Sequence, residues 1–231
     1  MRPVIRGEAP RTYTAYRQAL NDLVDRMGRY CSYCERQLPT SLAVEHVVPK
    51  SLDPELERDW ENFLLGCTNC NSVKLAQPTN KRDFLWPDLD NTCLAFTYSK
   101  GGYVEVSSSL TETMQHKASK LMALVGLNRH KDEDYPRPAG GDQRWMQRDE
   151  AWRIAEECKE RVDRLDANGY GDEARDLTLE VALAKGFFSI WMIVFADDPM
   201  MLNRLIKAFT GTAADCFDEA GAVVNRPGGR V

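Results

Sequence analysis

No stretch of this 231-residue chain is long and apolar enough to cross a bilayer. The most apolar run, "GFFSIWMIVFA" at 186–196, is about half of the roughly 20 residues that a crossing needs and reads as a buried helix. The first residues, "MRPVIRGEAPRTY", hold no apolar core of the kind a signal peptide carries, so a cytoplasmic protein is expected, with no membrane partner. No internal repeat and no low-complexity segment is present, which excludes solenoid and fibrous architectures. Bulk positive charge is missing too: the net charge is −5. Residues 1–86 carry 12 Lys+Arg against 11 Asp+Glu, and the remainder 18 against 24. A protein that grips nucleic acid unaided shows a basic surface. Any such work here needs a local basic patch or a partner. Histidine is scarce, with three in all, so each can be weighed singly.

Seven cysteines are present, and in a chain expected to meet a reducing compartment they argue against a disulfide framework. Four fall as two Cys-x-x-Cys pairs, Cys31/Cys34 and Cys67/Cys70. Cys93, Cys158 and Cys216 are scattered singly and read as small buried apolar residues. Two such pairs suit a tetrahedral Zn²⁺ site, each knuckle offering two thiolates. Thioredoxin-like redox chemistry fits less well, because neither pair sits in a βαβ pattern; two unrelated pairs of buried thiols are the plain alternative. The gap between the pairs is wider than in a simple zinc ribbon, so structure is built between the knuckles.

Periodicity gives the rest of the organisation. Tyr13, Tyr16, Leu20, Leu23, Val24 and Met27 recur at helical spacing and stop at Gly28. "LAVEHVV" at 42–48 reads as a strand halted by Pro49, "CNSVK" as the start of a short helix, and "CLAFTYSKGGYVEVS" at 93–107 as a hairpin turning on Gly101-Gly102. A stripe from Leu110 to Val125 ends at Gly126. A Pro/Gly-rich link follows at 135–141, then a helix that Asp142 could cap and that stops at Asn168-Gly169. One long apolar helix is expected over about 172–196, and another after Pro199. The domain reading is an N-terminal helix at 1–28, a metal-type core at 29–86, and a hairpin plus helical region at 87–231 that could dock a partner.

Among the histidines, His116 lies on a helix and His130 in a polar loop, and both read as structural. His46 differs by its company. Glu45 precedes it on a strand, where neighbouring side chains point to opposite faces unless the strand ends in a twist or bulge. Asn62 follows in "WEN", and Asn71 stands directly after the second knuckle. A carboxylate, an imidazole and an amide near one point suit a hard cation beside a general base.

The segments "CSYC", "VEHVVPKS", "WENFLL" and "CTNCNSVK", in that order over roughly residues 29–75, resemble an HNH (ββα-metal) endonuclease. The resemblance implies an α+β fold: a small zinc-braced ββα-metal core embedded in a mainly α-helical protein. It implies structural zinc at Cys31, Cys34, Cys67 and Cys70, a catalytic Mg²⁺ or Mn²⁺ held by Glu45 and Asn71, His46 as general base, and Asn62 holding the loop and the imidazole. Glutamate stands at 45 where many members carry aspartate, which lengthens the ligand by one methylene. Lys74, one turn beyond Asn71, is expected either to meet a substrate phosphate or to be an ordinary solvated lysine. More loosely, the order of this core, "DFLWPDLD", the hairpin and "VGLNRH" is similar to the PtuB-type HNH proteins of Septu-like anti-phage systems, which implies an ATPase partner. The implied activity is phosphodiester hydrolysis of nucleic acid, DNA in preference to RNA. The rival is a catalytically silent, zinc-braced protein-interaction module.

Overall fold

A computed structural model of the chain describes residues 1–132 and 141–231. Of the link expected at 135–141, all but Gly141 lies outside the described residues. The fold is α+β, with two small antiparallel hairpins set among helices. Helix α1, Ala19–Met27, follows a 3-10 turn at Tyr16–Gln18 and buries Ala19, Leu23 and Met27. Gly28 ends it at φ 74°, a conformation that costs glycine little.

The first hairpin pairs β1, Leu42–His46, with β2, Phe63–Cys67. The register sets Glu45 opposite Leu64 and His46 opposite Phe63. Side chains alternate along a strand, so Glu45 shares one face with Leu64 and Gly66, and His46 shares the other with Phe63. Every residue of β2 is buried, because both faces of the hairpin are covered. Tyr13 and Tyr16 pack on the His46 and Phe63 face. Helix α2, Thr68–Lys74, closes the other. The expected strand stops two residues early, at His46, where the chain turns into a loop. That loop carries two short 3-10 turns, each capped by an aspartate: Asp53 accepts from Glu55 N, and Asp59 from Glu61 N.

A short helix α3, Thr92–Ala95, capped by Asn91, occupies the start of what reads in sequence as a strand. The second hairpin is β3, Phe96–Ser99, with β4, Tyr103–Val106, turning at Gly101 and Gly102 with φ 84° and 80°. Gly102 answers a second demand: a Cβ there would lie 2.1 Å from the Trp145 carbonyl oxygen. Helix α4, Glu112–Val125, is capped by Thr111 and ends at Gly126 in the left-handed region. Helix α5, Arg144–Asp166, has Gln143 at its cap position, whose side chain makes no cap bond. Asp142, expected to cap the helix, accepts from Arg144 N at 3.2 Å, the helix's first amide, and also from the Arg144 guanidinium at 2.6–3.1 Å.

The single long helix expected over 172–196 is two helices, α6, Gly171–Lys185, and α7, Phe188–Val194, followed by α8, Pro199–Ala208. The break has a tertiary cause. Gly186 (φ 76°) bridges to Arg36, and Phe187 N donates to Glu35 O at 3.0 Å, beside the first cysteine knuckle. Helix α7 is well buried, whereas α6 leaves Leu177 and Val181 exposed; apolar residues run along the sequence on both sides of the break and hide it. One continuous apolar core joins α1, the first hairpin and the C-terminal helices. Among the described residues no helix is long and apolar enough to cross a membrane.

Candidate functional site

The four paired cysteines converge. All are buried, and their Sγ atoms lie within 4.8 Å of one another. Cys31 to Cys70 and Cys34 to Cys67 are each 3.7 Å. A tetrahedral zinc with Zn–S bonds of about 2.3 Å sets its sulfurs about 3.8 Å apart, so the cage has the dimensions of a zinc site. The first knuckle is a tight turn with Glu35 at φ 63°. The second spans the end of β2 and the first turn of α2, where the Cys67 sulfur also accepts from Cys70 N. A zinc held by these four sulfurs would fix where α2 begins. Four thiolates around a dication leave a net negative charge, and Arg144 Nη1 sits 3.1 Å from Cys70 Sγ to meet it. Cys158 and Cys216 are buried and Cys93 half-buried, apart from this group.

His46, at the end of β1, is 9% exposed. Its ring packs edge-on against Tyr16 and Phe63, with centroids 4.9 and 5.2 Å away. Nε2 lies 2.9 Å from the Glu57 carbonyl oxygen. A carbonyl only accepts, so Nε2 carries the proton and Nδ1 keeps its lone pair. Burial pushes the imidazole below its ordinary 6.5, the Glu57 carbonyl opposing, and the ring is neutral near pH 7. Asn62, fully buried, accepts from Val48 N at 2.8 Å and donates to Val48 O at 2.8 Å and Leu56 O at 3.3 Å. It thereby ties both ends of the loop whose Glu57 carbonyl orients His46. Its side chain bonds to the loop and not to the imidazole itself.

Glu45, Asn71 and Lys74 occupy the layer between the hairpin and α2. Asn71 lies directly over Gly66: a Cβ there would be 2.2 Å from Asn71 Oδ1. Asn71 Oδ1 is buried without a hydrogen bond, and Glu45 Oε1 is buried facing the Lys74 ammonium. Burial pushes the Glu45 carboxyl upward from its ordinary value, with Lys74 opposing. A carboxylate beside an unpaired carboxamide oxygen offers the oxygen ligands a hard cation takes, so the chemistry of the pair fits a divalent ion. Lys74 corrects the reading that placed it on a substrate phosphate. It is 1% exposed, its Nζ is 2.8 Å from Glu45 Oε1, and it donates to the His46 carbonyl oxygen at 2.7 Å. The helix face that points Asn71 inward necessarily buries the residue one turn on, and Glu45 then supplies the counter-charge a buried ammonium needs.

Three contributors escape a reading of the motifs alone. Tyr16 looks like part of a core stripe, yet it borders His46. Glu57 acts through its backbone, which no residue type announces. Gly66 did carry a signal, since a glycine inside a strand marks a close approach of other atoms.

Comparison with known proteins places this geometry. Residues 31–77 match the family model described as HNH endonuclease. Over 71 residues the chain is 32% identical to the Septu protein PtuB of Bacillus thuringiensis, a match that covers 29% of this chain and 28% of that protein. The chain thus resembles HNH endonucleases across the four-cysteine core, and a Septu PtuB protein over part of its length.

Proposed function

We propose that the chain is a cation-dependent endonuclease that hydrolyses phosphodiester bonds of nucleic acid, DNA before RNA. The observation that carries this reading is the grouping of acceptors beside one strand end: the Glu45 carboxylate and the unpaired Asn71 Oδ1 on the α2 side, and His46 Nδ1, left basic because Nε2 faces a carbonyl. His46 Nδ1 takes a proton from a water molecule as that water's oxygen bonds to phosphorus. The bond from phosphorus to the leaving oxygen breaks, and the phosphate diester becomes a monoester. Phe63 and Tyr16 hold the imidazole plane, and the Glu57 carbonyl holds its tautomer. Glu45 and Asn71 hold the divalent cation, Mg²⁺ or Mn²⁺, which when bound stabilises negative charge on the leaving oxygen. One carboxylate would make a weak site, so the scissile phosphate would have to contribute to holding the cation. Zinc at Cys31, Cys34, Cys67 and Cys70 is structural, with no open position for water.

The Lys74–Glu45 ion pair favours a second reading, a catalytically silent module in which zinc braces a binding surface and the ammonium replaces the cation. One assay separates them. Wild type and His46→Ala are incubated with DNA and with RNA in Mg²⁺ or Mn²⁺. A nuclease loses roughly 10²- to 10⁴-fold in rate on removal of its general base. Equal cleavage by the two proteins refutes the assignment of His46, and no cleavage by either supports the silent module.

The similarity to the Septu protein PtuB supports a role as nuclease subunit of an anti-phage system, with an ATPase as partner. Co-purification of the tagged chain from its native operon tests this, with an ATPase of that operon as the expected companion. Recovery of the chain alone counts against it.

A further inference from the structure

With Lys74 committed to Glu45 and a net charge of −5, something else must hold a polyanion at His46. The candidates come from outside the metal-facing layer. Tyr16, in the 3-10 turn before α1, borders the imidazole. Lys50, on the loop leaving β1, places its Nζ 4.3 Å from the centroid of the Tyr16 ring. Arg17 places its guanidinium carbon 5.7 Å from the same centroid, and its Nε donates to Tyr16 Oη at 3.2 Å. Both cations are exposed. Two parts of the chain far apart in sequence thus bring a positive charge each to one ring, and that ring touches the general base.

The remaining partner of Lys50 is Glu57, 3.0 Å away, with both side chains 43% exposed. A solvent-exposed pair of this kind contributes little, so exchanging Glu57 for a phosphate is nearly neutral. A cation held by an aromatic face keeps its N–H donors for other acceptors. The arrangement is a pair of cations restrained in position but not consumed.

We infer that Lys50 and Arg17, held by Tyr16, form the phosphate grip of this site, binding the backbone phosphates that flank the scissile one on a nucleic-acid strand. The inference rests on the nuclease reading for the identity of the site. Tyr16 is a positioning residue: it orients the two cations and His46 together. The grip addresses the phosphate backbone, common to DNA and RNA, and carries no base preference. It also supplies the local basic patch that the overall charge lacks.

The test uses the full chain and fluorescein-labelled single-stranded DNA and RNA, with binding followed by anisotropy over a salt series and without added Mg²⁺ or Mn²⁺. Lys50→Gln with Arg17→Gln is expected to weaken binding about tenfold on both strands. Each lost contact should flatten the slope of log K against log salt by about 0.7. In cleavage assays KM rises while kcat stays within about twofold. Tyr16→Phe keeps the ring but loses the hydroxyl that Arg17 Nε meets, and is expected to weaken binding less than Tyr16→Leu, which approaches the double variant. Unchanged affinity and salt slope in the double variant, with a wild type that binds and cuts, overturn the grip and leave the nuclease reading standing. Weakened binding by the double variant alongside no cleavage by wild type in Mg²⁺ or Mn²⁺ keeps the grip and removes that reading. A wild type that binds neither strand ends both. Loss on one strand type alone overturns the claim of backbone recognition.

Discussion

Gly66→Ala is a one-carbon change that tests how the cation site is built. Gly66 lies in β2, and its backbone is not in the left-handed region, so alanine fits the local conformation. The obstacle is steric. The new Cβ would stand 2.2 Å from Asn71 Oδ1 and 3.0 Å from its Cγ, where ordinary contact begins near 3.4 Å. An overlap above 1 Å cannot be absorbed in place, and the carboxamide must swing away. Asn71 Oδ1 has no hydrogen bond to lose, so the fold pays little: an off-rotamer side chain costs about 0.5–1.5 kcal/mol, and alanine recovers about 0.5–1 kcal/mol of the backbone entropy that glycine forfeits in a strand. Net stability should move by less than about 1 kcal/mol. Cation affinity should fall much further. Even displacing a supporting partner of a metal ligand costs 10- to 100-fold, and here the proposed ligand oxygen itself would move. Urea denaturation gives the first quantity, and Mn²⁺ binding followed by electron paramagnetic resonance the second, without recourse to cleavage. Unchanged Mn²⁺ affinity would refute the reasoning. So would a stability loss above about 3 kcal/mol, which would make Gly66 a packing residue.

Zinc removal should unfold the core. Stripping the chain with a chelator is expected to release one zinc and free the four clustered thiols, and to melt α2 by circular dichroism; an unchanged melting curve after zinc loss would contradict a structural role. Asn62→Ala should cost about 2–4 kcal/mol in urea denaturation, because it strands the Val48 N–H and carbonyl groups that the side chain now pairs; a loss below about 0.5 kcal/mol would show that water replaces it. The pH profile of kcat/KM should rise from the acid side to a plateau. Protonated His46 cannot accept a proton, and burial holds its pKa below the ordinary 6.5, so the acid limb should have its midpoint below pH 6.5. A midpoint above that value would mean that the imidazole is more exposed or more strongly paired with an anion than described.

Local signals were legible wherever one rule acted alone. Gly28 and Gly126 end their helices, Gly101-Gly102 turns its hairpin, and the two Cys-x-x-Cys pairs meet in one cage. The misreadings arise where a long-range contact outweighs a local pattern. Residues 172–196 read as one helix, yet the chain bends at Gly186 to pair with Arg36 and Glu35, some 150 positions earlier. Lys74 was expected at the surface because lysines usually are; its burial follows from Asn71 facing inward and from the extra reach of glutamate at 45. At the site the residue types were readable. Their partners, the Glu57 carbonyl and Tyr16, were not, because a backbone atom and a residue on another element leave no mark in a motif.

Arg144 ties the knuckle to the rest of the molecule. From the first turn of α5 it reaches Cys70 Sγ while also holding the Val125 and Gly126 carbonyls at the end of α4. Excised as a cassette, residues 29–86 would therefore leave behind the guanidinium that balances the thiolates and the helix end that shields them. A graft of this core onto a new scaffold would have to import an equivalent arginine, and any evolutionary trimming of the C-terminal helices would be felt first as weaker retention of zinc.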